Sequence, residues 1–551
     1  MKIDKKILAL IGIALAATLG LSISQSVALG GDPWWYAQVF WPNVFSFLVP
    51  TLSAFGLIEL ANRLFLKGDG GAFARRCVWW AFGLRLAFLL AVPVAMATWG
   101  YASNRNLKGL VELDAVNATD NAWAAARNID PAFAAFERAP GDNTGGISVG
   151  GVVAFRIFSP DIERTLLLGL IASAWTALTV IAVFRLAGGL FPPAAAKAAA
   201  LITAFYPEAV MVGSSHQQLG YVALLFAVGL LAVAGLIRRR ESDGDGLGLP
   251  KPRNAAILLA VSVILLFFVA RLFFLLSLVA GAVFAVWLTG PRTRAGRIIW
   301  IAAGAAAGAL ILLSVLRLLD VIPSDWDFLN TQYKYIYGMA WEEFDKMAAA
   351  GGGDLFQKLL TTMERGQAFL LAAVYGIAQP VLPAAIGHRS LTAEGGGQFW
   401  QALGIFRGLG WYLLLPLLIY GTLKSLRGIL SRNAETILML IFWFAAFVGS
   451  YRAFGDQWDN PRYRLFALAP MALLAAWAWT IRREASDPWF PRIAVPFGVA
   501  TAALTAWYLL RDYAMVDFPA AASIAGIGAI AVAAFFLTWL FTRRKKTVSS
   551  T

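Results

Sequence analysis

Residues 255–289 read AAILLAVSVILLFFVARLFFLLSLVAGAVFAVWLT and carry one charged side chain, that of Arg271. A helix crosses the hydrocarbon core of a bilayer with about 20 apolar residues, so this run is too long for one span. We therefore predict two membrane-spanning helices, 255–271 and 273–289, that are joined by a tight turn at Arg271 on the outer side of the membrane.

The composition of the whole chain also indicates a membrane protein. Of 551 residues, 59% are hydrophobic and 14% are charged, whereas about a quarter of the residues in a soluble domain are charged. These values exclude an ordinary water-soluble enzyme and a disordered chain. The one cysteine, Cys77, excludes an intramolecular disulfide, and two histidines are too few for a His-rich metal centre.

An all-α polytopic membrane protein with about 13–14 transmembrane helices is the predicted fold class. The predicted spans lie near 7–29, 38–66, 78–100, 165–187, 195–213, 217–237, 255–271, 273–289, 298–318, 404–423, 435–450, 463–481, 493–511 and 519–541. Two long extracytoplasmic loops, which contain short interfacial helices, interrupt this series of predicted spans. The predicted organisation is an N-terminal helix pair in 1–77, a core in 78–318 that contains loop 102–163, a second loop in 319–403 with a re-entrant or interfacial segment at 366–387, and C-terminal helices in 404–551.

The distribution of charge predicts the orientation. The net charge is +14, and 24 of the 46 basic residues lie in short connections on the side that also holds both termini. Both long loops are acidic instead, with eight acidic and five basic residues in 102–163. The positive-inside rule therefore places both termini in the cytoplasm, and no nucleic-acid partner is needed to explain the basic excess. Residues 7–29 could be a cleaved signal peptide, but their length favours a retained helix.

Polar groups of a membrane protein that lie outside the basic inner loops are candidates for function. In loop 102–163, Asp120 and Trp123 fall on one face of a short helix, and Asp114 is close in sequence. A carboxylate beside an aromatic ring suits a sugar site. The alternative is that these are solvated loop acids, with Asp120 capping a helix after Thr119.

A second cluster follows at the outer ends of two spans and contains Glu208, His216 and Gln217. Glu208 lies within an apolar helix, where a carboxylate is costly unless it is paired or hydrated. Capping at the membrane interface is the alternative for Glu208. For His216, a position on the loop surface is a better explanation than a role as a base.

Three arginines on the predicted outer side, Arg271, Arg462 and Arg464, are candidates for binding phosphate, because a guanidinium stays charged and can contact phosphate with two donors. The alternatives are snorkelling of Arg271 to the interface and an internal ion pair with Asp459. The loop 319–403 adds Trp326 and Tyr333, which could line a carbohydrate or lipid-headgroup cleft or belong to an interfacial aromatic belt.

From about Gly83 to Arg483 the chain resembles the polytopic GT-C glycosyltransferases, and most closely the branch of protein O-mannosyltransferases and aminoarabinose transferases, family 39-like. The resemblance rests on Gly83-Leu84-Arg85 within a span, Asp120 with an aromatic residue three positions later, Gly150–Phe158, Tyr206-Pro207-Glu208 with Ser214-Ser215, and Asn460-Pro461-Arg462-Tyr463-Arg464-Leu465 with Pro470. The N-terminal helix pair looks like an addition to the family pattern. Trp123 stands where the family usually has Tyr or His, which leaves both Asp120 and Asp114 as candidates for the base.

The resemblance implies an enzyme of the plasma membrane that transfers a sugar from a polyprenyl phosphate, such as undecaprenyl phosphate, to an acceptor hydroxyl on the extracytoplasmic face, with inversion. Asp120 would be the general base, and the three arginines would stabilise the departing phosphate. The residues expected to bind sugar or acceptor are Trp123, Glu208, His216, Gln217, Trp326 and Tyr333. The partners would be the lipid-linked donor, a glycan, lipid or protein acceptor, and membrane lipid.

No cofactor is expected for this branch, although a divalent ion held by Asp114 and Asp120 stays open as an alternative. Two other functions also remain open. A flippase or transporter of lipid-linked sugars would place ionisable residues at mid-bilayer in broken helices. A ligase or polymerase of the O-antigen type would use loop 319–403 as its catalytic element.

Overall fold

The computed structural model describes residues 5–29, 33–99, 108–133, 145–237, 249–289, 365–387, 397–428, 433–453, 459–485, 487–514 and 519–548. Within these ranges the chain is helical and contains no strand. It divides into two compact units, Met1–Thr289 and Gly290–Thr551.

The first unit contains twelve described helices. They are α1 (Lys5–Leu29), α2 (Pro33–Phe65), α3 (Asp69–Thr98), α4 (Leu113–Arg127), α5 (Gly145–Phe158), α6 (Thr165–Ala177), α7 (Thr179–Leu190), α8 (Pro193–Phe205), α9 (Pro207–Gly213), α10 (Gln218–Ile237), α11 (Pro252–Val269) and α12 (Arg271–Thr289).

The second unit continues with eight described α-helices and one 3₁₀ turn. They are α13 (Arg365–Ala378), α14 (Leu382–Gly387), α15 (Gly397–Leu426), α16 (Ala434–Ala453), α17 (Asp459–Arg464), the 3₁₀ turn Leu465–Ala467, α18 (Leu468–Ala485), α19 (Trp489–Tyr513) and α20 (Ala520–Val548).

Eleven helices of the described residues are long and apolar enough to cross a membrane, or twelve if α8 and α9 count as one bent span. This confirms an all-α polytopic membrane protein. Twelve of the predicted spans coincide with these helices. The predicted span 273–289 lies in α12, whose described apolar part is shorter, and the predicted span 298–318 lies outside the described residues.

Two breaks in apolar helices follow from the local sequence. Tyr206 is extended, with φ −63° and ψ 117°, because the residue before a proline is disfavoured in the helical region. Pro207 then begins α9, and the chain bends by 52° between α8 and α9. Ala270 is likewise extended and α12 begins at Arg271, so the predicted break in the run 255–289 is confirmed.

The short helix predicted around Asp120 in loop 102–163 is α4, and it packs against a second helix of this segment, α5. The hydroxyl of Ser148 in α5 donates a hydrogen bond to the carbonyl of Ala118 in α4, at 3.2 Å. A Cβ atom at Gly151 would lie 2.8 Å from the Cβ of Ala122. The absence of a side chain at Gly151 therefore sets the close approach of α4 to α5.

Buried polar side chains tie the N-terminal helix pair into the first unit. The side-chain oxygen of Gln25 in α1 accepts a hydrogen bond from the backbone N–H of Leu166, at 2.9 Å. Asn43 in α2 donates to the hydroxyl of Ser26, at 3.1 Å, and accepts from Arg164, at 2.8 Å. Because each of these groups would be costly to bury alone, α1 and α2 have a specific register against the segment that precedes α6.

Candidate functional site

A lysine between two carboxylates forms the centre of the candidate site. The ammonium of Lys108 lies 2.8 Å from an oxygen of Asp120 and 2.7 Å from an oxygen of Glu163. Asp120 belongs to the middle of α4, and Glu163 comes two residues before α6 begins. The exposed fraction of the side chain is 45% for Asp120, 34% for Lys108 and 14% for Glu163. The site is therefore open at Asp120 and closed at Glu163.

The backbone around Lys108 holds its side chain in this position. Lys108 and Gly109 both have positive φ, 47° and 78°, and a left-handed conformation at a non-glycine residue persists only where the surroundings impose it. Thr165 donates a hydrogen bond to the carbonyl of Lys108, at 2.9 Å. A Cβ atom at Gly109 would lie 3.0 Å from side-chain atoms of Ala28 and of Pro93. Helices α1, α3 and α6 thus position the lysine.

The electrostatics of the three residues follow from burial and pairing. Partial burial disfavours the ammonium of Lys108, but hydrogen bonds to Asp120 and Glu163 outweigh it and raise the pKa of the lysine. Burial raises the pKa of Glu163, opposed by Lys108 and reinforced by the nearby charge of Asp120. Lys108 is therefore a cation at neutral pH, and it is the group that makes two close carboxylates tolerable.

Arg164 fixes the segment that carries Glu163. Its fully buried guanidinium donates to Asn43, to the hydroxyl of Ser159 at 2.9 Å, and to both oxygens of Asp161. The hydrogen bonds from Arg164 lower the pKa of Asp161 below its ordinary value. Glu163 is thereby placed by a guanidinium with partners on three sides.

The structure separates Asp114 from Asp120. Six residues along a helix correspond to a rotation of about 240° and a rise of about 9 Å, so the two carboxylates of α4 lie on different faces. Trp123 lies nearer to Asp120, and its ring packs edge-to-face against Phe155 of α5, with centroids 5.4 Å apart. The partner of Asp120 is Lys108.

Glu208, His216 and Gln217 are buried, and the expectation that His216 lies on a loop surface was wrong. The reason is that the turn between α9 and α10 packs under α5. The Nε2 atom of His216 lies 3.5 Å from the Cβ position at Gly151. Burial lowers the pKa of His216 to about 4, so its imidazole is neutral at pH 7. Both polar atoms of the Gln217 side chain are buried without a hydrogen-bond partner.

Arg462 and Arg464 belong to the second unit and stack on aromatic rings. The guanidinium carbon of Arg464 lies 3.8 Å from the ring centroid of Trp411, and that of Arg462 lies 5.2 Å from the centroid of Tyr463. Arg464 also donates to the carbonyls of Ile377, at 2.7 Å, and of Gln379. These two hydrogen bonds of Arg464 go to main-chain carbonyls in the last turn of α13 and directly after it.

The remaining predicted site residues have no described side chain. Arg271 is the first residue of α12, and its side chain lies outside the described set, as does that of Asp459. Trp326 and Tyr333 lie in a segment that is outside the described residues altogether.

Three residues of the site, Lys108, Glu163 and Arg164, were not predicted from the sequence. Lys108 could have been predicted by the reasoning that selected Arg462 and Arg464, because it is a basic residue on the predicted outer side of the membrane. Glu163 and Arg164 carried no such signal, because an acid and a base just before an apolar helix are common features of an interface.

Among described residues, no group of three or more His, Cys, Asp or Glu side chains is arranged to hold a metal ion. The cluster presents one oriented carboxylate, that of Asp120, at an accessible position near the aromatic ring of Trp123.

Comparison with known proteins gives two similar solved structures. No protein-family model and no curated protein sequence matches the chain. The archaeal oligosaccharyltransferase AglB from Archaeoglobus fulgidus, in complex with an inhibitory peptide and a dolichol-phosphate, is 16% identical, with a TM-score of 0.38, over 84% of this chain and 55% of that one. The oligosaccharyltransferase of Archaeoglobus fulgidus in the apo form is 14% identical, with a TM-score of 0.36, over 83% of this chain and 55% of that one.

The chain thus spans about half the length of both structures. At these identities and TM-scores the similarity assigns neither a family nor an activity.

Proposed function

We propose that the protein is a membrane glycosyltransferase that moves a sugar from a polyprenyl phosphate to an acceptor hydroxyl on the extracytoplasmic face of the plasma membrane. The observation that carries this proposal is the Asp120 carboxylate, held at 2.8 Å by Lys108 and 45% exposed, in a protein built of apolar helices. A carboxylate that is oriented by a hydrogen bond and accessible to an acceptor has the geometry of a general base.

In this mechanism, Asp120 accepts a hydrogen bond from the acceptor hydroxyl while the acceptor oxygen attacks the anomeric carbon from the face opposite the phosphate. The new bond between the acceptor oxygen and the anomeric carbon forms as the bond from that carbon to the phosphate oxygen breaks. The phosphate leaves with the bonding electrons, and the hydroxyl proton passes to Asp120. The hydrogen bond from Lys108 holds the Asp120 carboxylate in place before the attack, and the configuration at the anomeric carbon is inverted.

The other proposed contacts differ in how well the described geometry supports them. Trp123 lies one helical turn from Asp120, partly exposed, and its ring can pack against a sugar. Among the arginines, Arg464 already donates to the carbonyls of Ile377 and Gln379, so we assign it a positioning role. Arg271 and Arg462 are proposed to contact the phosphate of the donor.

The experiment that tests this function is sugar transfer by the purified protein in detergent, with radiolabelled polyprenyl-phosphate hexoses and pentoses as donors and a cell-envelope fraction as acceptor. We expect Asp120→Asn to lower the transfer rate by about 10²- to 10⁴-fold, and Asp114→Asn to lower it far less. Full activity of Asp120→Asn overturns the assignment of the base. Loss of transfer in Asp114→Asn, with retention in Asp120→Asn, moves the base to Asp114.

One observation favours a second candidate, a flippase for lipid-linked sugars. Glu208 is buried in the first turn of α9, directly after the 52° bend between α8 and α9, and transporters place ionisable residues at such breaks. In liposomes, protein-dependent movement of a fluorescent polyprenyl-phosphate sugar across the bilayer, slowed by Glu208→Gln and without a transfer product, establishes this candidate instead.

A further inference from the structure

Three helices of the second unit end in the same pair of side chains, a tryptophan and an arginine whose guanidinium lies over the ring. The two residues of each pair are three or four positions apart, so they are neighbours on the helix surface. The pairs are Trp479–Arg482 in α18, Trp489–Arg492 in α19 and Trp539–Arg543 in α20, and the guanidinium carbon lies 4.7, 5.4 and 5.2 Å from the ring centroid, respectively.

Contacts between neighbouring helices join the three pairs. Arg482 is in the last turn of α18, and its guanidinium carbon also lies 4.1 Å from the ring centroid of Phe490, in the first turn of α19. The Nε atom of Arg492 donates a hydrogen bond to the hydroxyl of Thr542 near the end of α20, at 2.9 Å. The three pairs therefore form one basic surface at one end of α18, α19 and α20, which we call the Trp–Arg surface.

The two best-described arginines of this surface lack a carboxylate partner. Within the described residues, Arg482 contacts aromatic rings and no hydrogen-bond acceptor, and Arg492 has the hydroxyl of Thr542 as its one acceptor. Arg511, which also stacks on a tryptophan at the opposite end of α19, forms an ion pair with Asp512 at 2.7 Å. Stacking uses the face of a guanidinium, so the donors at the edge of Arg482 remain free for an anion.

The carboxylate of the turn between α18 and α19 is already engaged. One oxygen of Asp487 accepts a hydrogen bond from the backbone N–H of Trp489, at 2.9 Å, and the other accepts from the hydroxyl of Tyr420, at 3.1 Å, and from Lys424. The side chain of Asp487 is 10% exposed. Asp487 thus neutralises Lys424 and leaves the charge of the Trp–Arg surface uncompensated.

The Trp–Arg surface lies where lipid headgroups would be. The side chains of Trp479 and Trp489 are 42% and 37% exposed, and tryptophan is enriched where a bilayer meets water. The membrane-crossing stretches of α19 and α20 are 0% buried by the rest of the protein, so acyl chains cover them. An anion that reaches these arginines is therefore one that the bilayer itself supplies.

We propose that the Trp–Arg surface binds an anionic phospholipid, whose phosphate accepts hydrogen bonds from Arg482 and Arg492 and whose acyl chains lie along α19 and α20. Basic sites between transmembrane helices recognise such headgroups. A positive-inside signal requires a charge at this end of the helices, but it does not require a guanidinium that is ordered between two rings. None of these residues has a role in the proposed sugar transfer, so the inference is independent of that function.

The test is native mass spectrometry of the purified, delipidated full-length protein in detergent, with equimolar phosphatidylglycerol and phosphatidylcholine of the same chain length. We expect the wild type to retain phosphatidylglycerol preferentially. Arg482→Gln with Arg492→Gln should lower the ratio of bound phosphatidylglycerol to phosphatidylcholine by about 30-fold, since each basic residue near an anionic headgroup contributes roughly a factor of five. The control is Arg427→Gln with Arg483→Gln, which removes two charges from exposed positions at the same end of the helices and should keep the ratio of the wild type.

Three results overturn the proposal. They are a wild type without preference for phosphatidylglycerol, an equal loss of preference in both double variants, and displacement of the lipid by excess inorganic phosphate, which would make free phosphate the ligand. Folding is checked by gel filtration and thermal unfolding. If the variant with both Arg482 and Arg492 replaced fails to fold, Arg482→Gln alone is compared with Arg483→Gln, and the loss of preference is expected in Arg482→Gln only.

Discussion

Asp161 and Arg164 form an ion pair with two hydrogen bonds in the loop that precedes α6. Both oxygens of Asp161 accept from the buried guanidinium, one of them at 2.9 Å. The carboxylate of Asp161 is about half exposed and the guanidinium of Arg164 is fully buried. Because Arg164 also donates to Asn43, the pair connects a solvent-exposed acid to a buried residue of α2. The ion pair of Asp161 and Arg164 therefore fixes the loop before α6, and with it the position of Glu163.

The lowered pKa of Asp161 predicts how stability depends on pH. A carboxyl group with a depressed folded-state pKa contributes stability that is present above its unfolded pKa, near 4, and is lost as the pH falls through the folded value. We expect the thermal unfolding temperature in detergent to fall below about pH 4 in the wild type.

In Asp161→Asn this contribution is absent at every pH. The variant should therefore be less stable than the wild type at pH 7, and it should lose less stability than the wild type when the pH is lowered. If the unfolding temperature of Asp161→Asn falls with pH in parallel with that of the wild type, the lowered pKa of Asp161 is not the cause of the acid destabilisation.

At the scale of elements, the packing of α4 on α5 determines where Asp120 and Trp123 lie. The two helices approach each other closely at Gly151, where a Cβ atom would lie 2.8 Å from the Cβ of Ala122 and 3.1 Å from a methyl group of Leu168. Neither neighbouring atom is the end of a flexible polar side chain that can move away. The position of the candidate base thus depends on the absence of one methyl group on the neighbouring helix.

Gly151→Ala should therefore force α4 away from α5. We expect a destabilisation of about 1–3 kcal/mol, as for overpacking elsewhere, together with a loss of sugar transfer beyond that of a stability loss alone. The neighbouring glycine provides the control, because a Cβ at Gly150 meets nothing within 4 Å. Gly150→Ala should be neutral or slightly stabilising, since alanine is the better helix former. Equal effects of the two substitutions contradict this account.

At the scale of the whole molecule, the positive-inside pattern predicts which side of the membrane each segment faces. Cys77 is buried, so the wild type offers little background for thiol labelling. We expect Asn117→Cys, at an exposed position of α4, to react with a membrane-impermeant maleimide in intact cells. Ser550→Cys, near the C-terminus, should react only after the cells are permeabilised. The reverse pattern would invert the proposed topology and place Asp120 in the cytoplasm.

Several features followed from the sequence because they depend on local composition. A run of apolar residues without charge has no alternative to a helix in a bilayer, since backbone groups must pair within the segment. This is why the spans in α1–α3, α6–α11 and α15–α20 could be located, as well as the break before Arg271. The short helix α4, with Asp120 and Trp123 on one face, was expected from helical spacing.

The partners of the charged side chains depended on tertiary structure. Lys108 and Glu163 are far apart in sequence, and they meet because Thr165, Gly109 and the packing of α1 and α3 bring two loops together. Burial of His216 depends on α5 lying over the turn before α10, and the partners of Arg464 are carbonyls in a distant helix break. The sequence by itself determined which segments enter the membrane, because the transfer free energy of a span is a sum over its own residues. Only the tertiary structure decided which charges neutralise one another, because Coulomb energy depends on distances between segments that no local pattern encodes.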